Sequence, residues 1–169
     1  TDLESWSSSL MPDLPGDDRD VKVLVTPDRM ILCNTPYPWQ TMITYTEDGK
    51  NWSEAVPGYP GANAAGVTGA HGPQFWKPKE HNGLYYVACD YTNDYVDLLK
   101  STDGIKYEFV SRILSDKHAP GFLTETFPTE TAIVFLADGR CLAMHRLNGY
   151  STPARPGSAL PGFSIAEPP

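Results

Sequence analysis

In this 169-residue chain the side chains best suited to chemistry are Glu130 and Arg146, sixteen residues apart. A carboxylate can give or take a proton, and the guanidinium fork of arginine holds a planar carboxylate through two parallel hydrogen bonds. Asp138-Gly139 lies between them and reads as a hairpin turn. Antiparallel strands on either side would return Arg146 to the end of the sheet from which Glu130 sets out. The bland alternative is a surface glutamate and a rim arginine. A second charged group, Asp17-Asp18-Arg19-Asp20, stands just before an apolar run, and a solvated acidic loop is the plain reading of Asp17 and Asp18. A third candidate is the glycine-rich stretch 61–75, with His71 and Gln74 near its end as side chains that could face a ligand. It lacks phosphate-loop spacing, and no helical pattern follows it, so phosphate binding is not expected. Loops of this length between strands often carry binding residues, although a lone histidine is as readily structural. His81, His118 and His145 share no ligand-like spacing. Neither a metal nor a cofactor is expected.

Strands must place these groups. Sixteen prolines, fourteen glycines, four Trp, nine Tyr and six Phe favour turns and packed strands. No window keeps the i, i+3, i+4, i+7 apolar spacing of a helix. Short apolar runs bounded by turn residues recur at 21–25, 29–33, 41–45, 84–89, 96–100, 107–114, 131–135 and 141–145, so the fold class is all-β. A net charge of −8 without any Lys/Arg run argues against nucleic acid or an anionic membrane surface as a partner. The apolar stretch 132–136 is strand-sized and far short of a membrane span. Cys33, Cys89 and Cys141 have no CxxC spacing. They read as buried thiols behaving as small hydrophobes, with one disulfide and a spare thiol as the alternative.

The strands repeat. Turns centred at Asp28, Asn82 and Asp138 each join two apolar runs, and they are separated by 54 and 56 residues. Asn82-Gly83 and Asp138-Gly139 are both expected to form type I′ turns, since both pairs tolerate positive φ. Thr46-Glu-Asp48-Gly49-Lys-Asn-Trp52 aligns without a gap on Ser101-Thr-Asp103-Gly104-Ile-Lys-Tyr107, 55 residues further on, and residues 1–6 look like the tail of another copy. In each, a hydroxyl and an Asp can satisfy the donors of a tight turn, Gly takes the strained position, and an aromatic pins the turn to its sheet. Such a period predicts a partial β-propeller of four-stranded antiparallel blades. Residues 1–18 would end one blade, 19–70 and 71–126 would form one each, and 127–169 would begin the next. Closed propellers take about four to eight blades. The chain is therefore expected to be part of a larger ring, completed by a missing segment or another chain.

The hydroxyl–x–Asp–Gly–x–x–aromatic motif resembles the Asp box, or BNR repeat, of sialidases. The run from Pro128 to Arg146 is similar to the sialidase segment in which Glu opens the inner strand of a blade and Arg closes the following one. That resemblance implies a secreted or periplasmic exo-glycosidase acting on a carboxylate-bearing glycan. Glu130 would be the base for a tyrosine nucleophile from a later blade, and Arg146 a ligand of the substrate carboxylate. Asp48 and Asp103 would be structural, on the outer rim. Arg19-Asp20 is similar to the pair at the strand entry of related propeller hydrolases, which implies Asp20 as general acid/base and Arg19 as substrate ligand. The segment Gly83-Leu-Tyr-Tyr-Val with the later Ser-Thr-Asp-Gly also looks like five-bladed arabinanase and xylosidase propellers. Those use two or three carboxylates and no carboxylate-gripping arginine. A non-catalytic propeller that binds glycan or protein is the third reading.

Overall fold

The computed structural model describes residues 4, 6–14, 18–36, 40–60, 73–91, 95–115, 126–149 and 159–166. Among these the chain forms strands and no helix. The first sheet runs β1(Asp18–Val25), β2(Met30–Pro36), β3(Met42–Thr46) and β4(Val56–Pro57), and the second runs β5(Gln74–His81), β6(Leu84–Tyr91), β7(Tyr95–Ser101) and β8(Glu108–Leu114). In the third, β10(Cys141–Gly149) lies between β9(Thr126–Phe135) and β11(Ala159–Ala166). Every neighbouring pair is antiparallel.

The middle sheet is buried on both faces. Alternate side chains of a strand point to opposite faces, so Val87 and Leu99 meet Leu24, Ile31, Ile43 and Phe75, while Ala88 and Leu98 meet Ile133, Ala143 and Leu147. The outer faces of the end sheets are open: Val21, Val23 and Val25 on one side, Val134, Met144, Phe163 and Ile165 on the other. Strand β5 lies against both β1 and β9, so the first strands of the three sheets stand side by side. The result is an arc of a β-propeller.

The two aligned motifs fold alike. Gly49 N–H donates to Thr46 Oγ1 at 2.9 Å, and Lys50 and Asn51 N–H donate to Asp48 Oδ1 at 2.8 Å. In the second turn Gly104 N–H donates to Ser101 Oγ at 2.9 Å, and Ile105 and Lys106 N–H donate to Asp103 Oδ1 at 2.8 and 3.0 Å. Gly49 and Gly104 take φ of 73° and 75°, where a Cβ would be strained. Tyr107 is buried edge-on against Phe75, and Trp52 reaches Ser9 Oγ at 3.2 Å through Nε1. Residues 1–3 and 5 of the suspected third copy lie outside the described residues, and Trp6 is 85% exposed.

Two expectations need correction. Asn82-Gly83 has the two positive φ angles of a type I′ turn, but at the third turn only Gly139 does. There Gly139 N–H donates to Leu136 O and Leu136 N–H to Arg140 O, the longer type I turn closed by a left-handed glycine. Finally, β5 reaches back to Gln74, into the stretch read as a loop. All three cysteines are free thiols, and burial pushes Cys33 up to about 12, so it is inert.

Candidate active site

The inner strands break their ladders at comparable places. The β1–β2 register shifts between Arg19 and Lys22, the β5–β6 register between Trp76 and Lys79, and the β9–β10 register between His145 and Leu147. Bulges re-aim side chains, and they recur beside active sites. Asp20 and Lys77, each inside one of them, adopt φ of 56° and 46°. Left-handed backbone at a non-glycine residue is strained, and it persists only where its surroundings hold it.

On β9 and β10 the sixteen-residue separation does bring its two ends together. Arg146 Nη1 donates to Glu130 Oε1 at 2.7 Å, and both side chains are half-exposed. A cavity of about 280 Å³ opens beside them, lined by Trp76, Lys77, Glu130, Thr131, His145 and Arg146. No tyrosine is among the described residues lining it. His145 is 1% exposed, sits 3.0 Å from Thr131 Oγ1 through Nδ1 and 2.9 Å from Ser164 Oγ through Nε2, and burial lowers its pKa to about 4. It stays neutral and ties β9, β10 and β11 together under the cavity floor.

A buried carboxyl lies behind this surface. Asp90, in β6 and opposite Gln74 of β5, is 4% exposed. Burial pushes it up to about 8; the indole N–H of Trp76 and the Lys22 ammonium pull the other way, and Asp20 and Glu130 push with burial. The Trp76 Nε1 makes no hydrogen bond among the described residues, so its pull on Asp90 is that of a nearby dipole. Lys22 of β1 stands 3.8 Å from the centre of the Trp76 ring; burial lowers its pKa, and the Asp20, Asp90 and Glu130 carboxyls and the Cys33 thiol are the groups that oppose this. Asp20, Asp90 and Glu130 thus come from three successive sheets to one neighbourhood. Like carboxylates gathered this way cannot all be ionised cheaply, and buried Asp90 keeps the proton.

Of the residues singled out in the sequence, Glu130, Arg146 and Asp20 belong to this group. Arg19 lies in β1 at the edge of the bulge, but its side chain is outside the described residues, as is all of His71. Asp90, Lys22 and Trp76 were not anticipated. The available signal was Asp90 itself, a carboxylate at the end of a fully apolar strand, where burial without function is costly. Among the described residues no group of three or more His, Cys, Asp or Glu side chains could hold a metal ion. Nor is any described helix long and apolar enough to cross a membrane.

No protein-family model matches the sequence, and a search of curated proteins finds no match. Solved structures do resemble the fold. An α-L-arabinofuranosidase from Clostridium thermocellum superposes with a TM-score of 0.53 at 12% identity, over 87% of this chain and 56% of its own. A GH43 endo-arabinanase from Bacillus licheniformis gives 0.53 at 15% identity, over 88% and 57%. An α-L-arabinanase from Penicillium chrysogenum, solved with arabinobiose, gives 0.52 at 11%, over 85% and 45%. At such identities the likeness establishes the propeller fold alone. The chain spans about half the length of these structures.

Proposed function

We propose that this chain supplies part of the active site of a propeller glycoside hydrolase acting on arabinose- or xylose-type glycans by carboxylate acid–base catalysis. The observation that carries this reading is the convergence of Asp20, Asp90 and Glu130 from three sheets, with one of them held protonated at neutral pH. Glycoside hydrolysis needs one carboxyl that carries a proton and one that is ionised. Glu130, ion-paired to Arg146 at the cavity wall, is the ionised base that activates water. Asp20, exposed at its bulge, gives the proton to the leaving oxygen, and buried Asp90 retains the shared proton behind them. Arg19 and His71 are proposed as substrate contacts.

Several points favour a neutral substrate over an acidic one. Arg146 already gives Nη1 to Glu130, so part of its fork is taken before a sugar carboxylate could use it. The structural neighbours include enzymes named for arabinose. A sialidase-type reading draws on one observation, the half-exposed Arg146 at the cavity, and requires the ion pair to open. We propose that the protein meets its glycan outside the cytoplasm, as a secreted or periplasmic protein. The test is release of nitrophenol from α-L-arabinofuranoside, β-D-xyloside and α-sialoside by the complete protein. Turnover of either pentoside is expected, and turnover of the sialoside alone would overturn the neutral reading.

A further inference from the structure

Lys22 stands where a cation is least comfortable. Its Nζ is buried and has no hydrogen-bond partner among the described residues, although an ammonium carries three donors. The Trp76 ring, 3.8 Å away, attracts the charge but satisfies none of those N–H groups in the ordinary way. A buried charge is tolerated when opposite charges stand close. The groups that act on it are the carboxyls of Asp20 on its own strand, Asp90 of β6 and Glu130 of β9, with the neutral Cys33 thiol of β2 across the ladder. Glu130 has a second cation in Arg146, whereas neither Asp20 nor Asp90 has an ion pair among the described residues.

We propose that Lys22 is a positioning residue of this site: its ammonium, seated on the Trp76 ring that lines the cavity, is the fixed positive charge around which the Asp20, Asp90 and Glu130 carboxyls are ordered. This rests on reading those carboxyls as acid–base machinery. A buried carboxyl with other carboxyls near it is harder to ionise when no cation stands beside it, and Asp90 is the buried one here. Burial lowers the pKa of Lys22 itself, against the pull of the carboxylates, so the tuning is expected to weaken at alkaline pH.

The test is the carboxyl carbon NMR titration of the wild type, Lys22→Met and Lys22→Arg, which needs no substrate. In Lys22→Met the Asp90 carboxyl is expected to titrate about 1 to 3 units higher than in the wild type, the usual effect of a neighbouring opposite charge. Lys22→Arg keeps the charge, and its Asp90 should titrate near the wild-type value. Where a glycoside is turned over, the pH profile of kcat/KM should move the same way. A folded Lys22→Met whose Asp90 titrates as in the wild type would overturn the proposal. So would a failure of both Lys22→Met and Lys22→Gln to fold, since the charge would then serve the fold and not the site. A shifted Asp90 in a protein that cleaves no glycoside would leave the role of Lys22 standing and remove the hydrolase reading.

Discussion

Asp90 makes a demand on the fold that no neighbour fully offsets. Its folded pKa lies near 8 against 3.8 for an ordinary aspartate. Between those values the folded protein binds a proton that the unfolded chain has lost, so stability declines as pH rises toward 8 and levels off above it. His145 acts with the opposite sign and in a lower window. Its pKa falls from 6.5 to about 4, so it contributes stability above 6.5 that is lost as pH falls toward 4. Above pH 6.5 His145 adds no further change, whereas Asp90 continues to act up to 8. Asp90→Asn is therefore expected to remove the decline in melting temperature over that interval, and to be more stable than the wild type at pH 8. An unchanged slope would mean that Asp90 is ionised in the folded state. The same substitution should lower turnover if the retained proton is used.

At the scale of elements, the two aligned turns differ in what stands over them. A Cβ at Gly49 would meet nothing within 4 Å, whereas one at Gly104 would come within 2.7 Å of Ile31 and 3.1 Å of Leu24. Gly49→Ala should cost about 1 to 2 kcal/mol of backbone strain. Gly104→Ala should add about 1 to 3 kcal/mol of overpacking, because its turn is wedged onto the first sheet. Thermal melts of the two variants separate these contributions; equal losses would contradict the wedge. The turn chemistry was legible in the sequence, since Thr46, Asp48 and Gly49 carry their geometry locally and Ser101, Asp103 and Gly104 repeat it. Strand β5 was not legible. Pro78 interrupts it and Lys77 takes positive φ, which an edge strand tolerates at a bulge but a periodic pattern hides. Pro161 and Gly162 conceal β11, another edge strand, in the same way. Glu130 and Arg146 could be found because one hairpin joins them. Asp90, Lys22 and Trp76 could not, since their meeting depends on how separate sheets stack.

On the scale of the whole molecule, each sheet is held by the next. Leu147 is fully buried between the second and third sheets, whereas Phe163 on the open outer face is 66% exposed. Leu147→Ala should cost about 2 to 5 kcal/mol in denaturant unfolding, and Phe163→Ala within about 0.5 kcal/mol. Comparable losses would mean that the outer face is covered. The same stacking sets β1, β5 and β9 side by side, so Asp20 and Glu130 come close enough to Asp90 to act on its charge, with Glu130 at the cavity wall. Whether that cavity hydrolyses glycosides is tested most directly at its wall. With the complete protein and the pentoside it turns over, Glu130→Gln should lower kcat/KM by about 100- to 10,000-fold, the usual contribution of a general base. Its circular dichroism and melting temperature should stay close to wild type. A folded Glu130→Gln that retains wild-type kcat/KM would contradict the account.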